Sequence, residues 1–143
     1  MEFADLLTKA FERSDALQAY WAFYATIVLG TLAFLSSKLP SSRRISFGVI
    51  FSFAFAVVAL ANLEALSDVT RQRQAIQALL HKRVDDSSEP QKSEYRLLLE
   101  TVRPASLARV RTAHFGGDLL TILAIWILVL RQEKVAHPEE SIA

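Results

Sequence analysis

The chain has 143 residues, 52% of them hydrophobic, a formal net charge of +1 and no cysteine. Near-neutral charge argues against non-specific nucleic-acid binding, which needs a strongly basic face. The lack of Cys excludes disulfides, thiolate metal sites and thiol nucleophiles.

The apolar residues gather in three blocks, which predicts an all-α integral membrane protein with three transmembrane helices rather than a soluble core. Residues 2–14 place Phe3, Leu6, Leu7, Ala10 and Phe11 near one helical face, so an amphipathic amino-terminal helix is expected. It could lie on a membrane surface or pack against other extramembrane helices. Glu2 and Asp5 stand where a signal peptide would be basic, so the block that follows is read as a retained span.

That first span, 17–36, opens on Tyr20, Trp21 and Tyr24, the composition of an interfacial aromatic belt. Ala22, Thr26 and Gly30 form a stripe of small residues at i, i+4 spacing that admits a neighbouring helix. A short turn follows: Pro40 stops the helix, and Ser41 or Ser42 can cap the next one. The second span, 45–66, repeats the small stripe with Gly48, Ser52 and Ala56, flanked by a packing ridge of Phe47, Phe51 and Phe55. No Pro or Gly interrupts it afterwards, and the helix is expected to run on to about residue 83.

Leu66, Val69, Ile76, Leu79, Leu80 and Val84 resemble a coiled-coil seam, interrupted by Arg73. The run Asp85 to Pro90 breaks the helix, and 91–113 is read as the return arm of a helical hairpin, with a break at Pro104. Tyr95, Leu98, Leu99 and Val102 share one side of that arm. The third span, 114–131, is short of apolar length. Leu119 to Leu130 supplies twelve uncharged residues, about 18 Å of helix against a hydrocarbon core of about 30 Å. Crossing therefore requires Phe115, Gly116, Gly117 and Asp118 as well. Gly116, Gly117 and Thr121 are read as packing positions, and the acidic tail 135–143 as disordered.

With three spans, the amino terminus and hairpin share one side and the Pro40 turn and tail the other. Lys and Arg number eleven on the first side and five on the second. That bias places the hairpin and amino terminus in the cytoplasm and the carboxyl terminus outside a plasma (inner) membrane, although Lys38, Arg43 and Arg44 crowd the short turn.

The end of span two and the start of span three then fall at one level. Asn62, Glu64 and Asp68 come near His114 and Asp118, with Tyr20 and Tyr24 at the same height. Glu64, His114 and Asp118 have the chemistry to hold a divalent metal or pass a proton. They can equally form a charge cluster that holds helices in register, and this second reading is favoured. Asp118 stands apart by depth, because a buried carboxylate is costly unless paired or protonated.

The run Glu64-Ala65-Leu66-Ser67-Asp68 resembles the Glu-Ala-x-x-Asp that ends the second span of bacterial diacylglycerol kinases. That family's further Glu and Asn, one and two turns earlier, are Leu60 and Val57 here. The resemblance covers five residues and carries no expectation of membership. No phosphate loop, G-x-S-x-G or H-E-x-x-H is present. The leading expectation is a structural or interaction protein, not an enzyme, with no cofactor. Its expected partners are the lipid bilayer and either a second copy (a homo-oligomer) or another membrane protein, with no nucleic acid. The alternative is an oligomer conducting ions or protons through Asp118, Glu64 and His114; an interfacial enzyme comes third.

Overall fold

The computed structural model describes residues 2–37 and 43–136. The turn around Pro40, its capping Ser41 or Ser42, and the tail beyond residue 136 lie outside the described residues. The described residues form four helices: α1 (Phe3–Ser36), α2 (Arg44–Asp85), α3 (Glu89–Thr101) and α4 (Leu107–Ala136). The described residues include no strand. Among the described residues, three helices are long and apolar enough to cross a membrane: α1, α2 and Leu107–Arg131 of α4.

The helix bounds follow local chemistry, with one difference from the sequence expectation. The amphipathic segment 2–14 and the span 17–36 are one uninterrupted helix of 34 residues. Arg13, Ser14 and Asp15 change the polarity of the surface, but none of them breaks the backbone ladder as Pro or Gly would. α2 likewise continues for 42 residues. It stops at Asp85, and α3 starts with Pro90 in its first turn, where no amide hydrogen is needed. Pro104 lies in the irregular stretch between α3 and α4. The Ser106 hydroxyl accepts from the Arg109 amide at 3.2 Å and so caps α4. Gly116 and Gly117 do not interrupt α4.

The chain forms two compact units, Met1–Trp21 with Leu63–Thr112, and Ala22–Asn62 with Ala113–Ala143. The core of the first gathers Leu6 and Ala10 from α1, Leu80 and Val84 from α2, and Leu99 from α3, with Val102 just after it. Phe3 stacks on Tyr95 with ring centroids 3.9 Å apart. The amino-terminal segment thus packs against other helices of its own unit. Leu80 and Val84 of the seam-like set lie in this core, which three helices share. Leu80 is fully buried while its neighbour Leu79 is 48% exposed. Arg73, on the same stretch of α2, is partly buried, and loss of water lowers its guanidinium pKa from the usual value. Gln74 donates to the Ala105 carbonyl at 3.4 Å, satisfying an acceptor in the irregular stretch.

In the second unit, Phe34 of α1 packs on Phe47 and Phe51 of α2, with centroids 6.2 Å and 4.9 Å away. A Cβ on Gly48 would stand 3.1 Å from Val129, so glycine here permits the close approach of α2 to α4. Large apolar side chains of this unit remain outside, among them Phe53 at 72% and Leu119 at 70% exposure. Ala22, Thr26 and Gly30 also face outward. Ser52 and Ala56 are half-buried, Gly116 is exposed, and Thr121 is buried.

Candidate functional site

Four polar side chains meet inside the apolar second unit, one from α1, one from α2 and two from α4. The i, i+4 spacing of His114 and Asp118 puts both on one face of α4. His114 Nδ1 lies 2.9 Å from Asp118 Oδ2. From α1, the Tyr24 hydroxyl donates to Asp118 Oδ1 at 2.8 Å. From α2, Asn62 Nδ2 lies 3.2 Å from His114 Nε2. His114 is fully buried, Asn62 and Tyr24 are buried, and the Asp118 side chain keeps 17% exposure.

The hydrogen bonds set the imidazole tautomer. An ionised Asp118 only accepts, so Nδ1 carries the proton and Nε2 is left to accept from the Asn62 amide. Asp118 then receives one bond from His114 and one from Tyr24, on separate oxygens. At the opposite end, Asn62 Oδ1 is buried with no hydrogen-bond partner among the described residues. The rings enclose the network: Tyr24 and His114 have centroids 4.6 Å apart, and Phe55 lies 6.0 Å from Tyr24. The Thr121 hydroxyl donates back to the Gly117 carbonyl of its own helix at 2.8 Å.

Among the sequence candidates, His114 and Asp118 pair as their spacing suggests. Glu64 is exposed. The described residues contain no group of three or more His, Asp or Glu that could hold a metal ion, so Glu64, His114 and Asp118 do not make a metal centre among them. Glu64 is exposed to the outside, whereas His114 is fully buried and bonded to Asp118. Asp68 is exposed and pairs with Arg71 on its own helix at 3.2 Å. Tyr20 is also exposed, at 37%.

Tyr24 and Asn62 complete the network in place of Glu64. Tyr24 resembles a belt residue by position, yet it points inward. Asn62 carries a signal that was present in the sequence: it is the chain's one asparagine, at the end of an uncharged run.

Gly117 is small because Tyr24 is there. An added Cβ would stand 3.0 Å from the Tyr24 hydroxyl, which its bond to Asp118 holds in place. Replacing Gly with Ala in a helix gains about 1 kcal/mol of propensity, and crowding a packed site costs about 1–3 kcal/mol. Gly117→Ala is therefore expected to destabilise the wild type by up to about 2 kcal/mol. In Tyr24→Phe, where no hydroxyl stands in the way, it is expected to stabilise by about 1 kcal/mol. Unfolding of the four proteins of this double-mutant cycle, followed by circular dichroism in detergent, checks the reversal of sign.

The fold and site define an all-helical protein with three candidate transmembrane helices and a buried Tyr–Asp–His–Asn chain. Comparison with protein-family models, curated proteins and solved structures finds no match.

Proposed function

We propose that this chain is a three-span protein of the plasma (inner) membrane that works by association, with a second copy of itself or with another membrane protein. The buried polar chain acts as a clamp that holds α1, α2 and α4 in register. Membrane embedding is supported by the long apolar helices and by the large apolar side chains left outside the second unit. Charge bias supports an arrangement with the amino terminus and α3 in the cytoplasm and the carboxyl terminus outside.

The observation that carries the association reading is the outer face of α1. Ala22, Thr26 and Gly30 are exposed, and a Cβ on Gly30 would meet nothing within 4 Å. Inward-facing Tyr24 and Leu35 already serve the packing within the chain. A ridge of small residues on the opposite face gives another helix room to approach its backbone, which is how helices associate where lipid is the solvent.

Detergent-corrected mass tests the reading. The purified protein is expected above its monomer mass of 16.0 kDa, or together with a partner. Gly30→Leu fills the ridge without touching the chain's own packing, and is expected to weaken association roughly tenfold. A wild type that is strictly monomeric and purifies alone overturns the proposal.

A further inference from the structure

We infer that the His114–Asp118 couple is a binding site for a single proton, and that the Asn62 side-chain amide is the device that admits it. The inference rests on the polarity of the hydrogen bonds and on one otherwise unexplained atom. In the arrangement described, His114 is neutral, with its proton on Nδ1, and Asp118 is a carboxylate receiving bonds from His114 and Tyr24. The four side chains together carry one negative charge in an apolar setting, where an unbalanced charge is costly. One proton removes it.

Nδ1 already carries a proton, and the added one goes to Nε2, beside the one side chain of the network with an unused acceptor atom, Asn62 Oδ1. The ring then becomes an imidazolium, and Nε2 turns from acceptor to donor. A donor at Nε2 faces the Asn62 NH2 group at 3.2 Å, which is also a donor. The conflict ends if the amide makes a half-turn about its Cβ–Cγ bond, bringing Oδ1 to Nε2. Oδ1 is buried and has no hydrogen-bond partner among the described residues. The one covalent bond made or broken is N–H at Nε2, while the hydrogen bond from Asn62 Nδ2 is exchanged for one accepted by Oδ1. Water supplies the proton and takes it back, and the net charge of the network moves between minus one and zero.

The titratable neighbours of His114 are Asp118 on its own helix and Tyr24 on α1, while α2 presents Asn62, which does not titrate. Asp118, the one member with appreciable exposure, gives the network its contact with the outside. The proton-bound state links α2 to α4 through an imidazolium held by a carboxylate and an amide oxygen. The His114–Asp118 bond has a charged partner in both states, whereas the bond between Asn62 and Nε2 gains one only on protonation, and charge-assisted bonds are stronger than neutral ones. Acidification therefore tightens the clamp.

The sequence makes the test direct, because the chain has one asparagine and three histidines. Full-length protein with isotope-labelled Asn and His is placed in lipid nanodiscs and followed by NMR from about pH 9 to about pH 5. A His114→Gln sample identifies the His114 signals. At high pH, His114 is expected as the Nδ1–H tautomer with Nε2 unprotonated. As it gains its second N–H, the Asn62 carboxamide signals are expected to shift over the same pH range. An Nε2–H tautomer at high pH overturns the inference. So does an Asn62 signal that stays unmoved while His114 gains its proton, or a His114 that gains none across the range. The reading is taken on wild-type protein, so it does not depend on a variant's folding. It is also independent of whether the protein associates.

Discussion

His114→Ala is expected to lower the stability of the chain by about 3 kcal/mol, more than any other substitution in the buried polar network. The loss has three parts. Two interhelical or intrahelical hydrogen bonds disappear, and in membrane proteins such bonds average well under about 1 kcal/mol each, so they do not dominate. The fully buried imidazole leaves a cavity, which costs about as much again. The largest part is the stranding of Asp118, whose carboxylate keeps the Tyr24 bond alone, and of Asn62, which then has nothing at either end of its amide. An uncompensated buried charge is the expensive outcome. Denaturant unfolding in mixed micelles measures it. A variant as stable as the wild type would remove the clamp from the account of this protein.

Leu80→Ala is expected to have an effect of similar size in the first unit, about 3 kcal/mol within a usual range of about 2–5 kcal/mol. Leu80 is fully buried among Leu6, Ala10, Val84, Leu99 and Val102, contributed by three helices and the residue following α3, and a methyl group cannot fill the space. Leu79→Ala, one residue away and 48% exposed, is expected to change stability by less than about 0.5 kcal/mol. Limited proteolysis reads the difference. Trypsin sites at Arg83, Lys92 and Arg96 should open much faster in Leu80→Ala than in Leu79→Ala. Equal rates for the two variants would mean that the core is drawn around the wrong side of α2.

That pair of leucines shows where sequence reading stops. Both fit the steps of three, four and seven that suggest a seam, and periodicity alone treats them alike. Which one is inside depends on where α1 and α3 lie around α2, and that is decided by packing. The same limit hides the join of α1. A change from charged to apolar residues near Ala16 looks like a boundary between two elements. Polarity governs what surrounds a helix, however, and only backbone chemistry governs whether it continues.

By itself the sequence determined a helical chain with three apolar segments of spanning length, the breaks at Asp85 to Pro90 and at Pro104, and the placing of His114 and Asp118 on one helical face. Each of these is local: it follows from composition, from Pro, or from two residues one turn apart on one helix. The tertiary structure alone decided that Tyr24 and Asn62, rather than Glu64, complete the network, and that Gly117 must be small. These facts depend on how far each helix is rotated about its own axis, since a turn of one residue moves a side chain by about 100°. Rotation is set by the summed packing of whole faces, such as Phe34 on Phe47 and Phe51 or Gly48 against Val129. No spacing along a single helix encodes it.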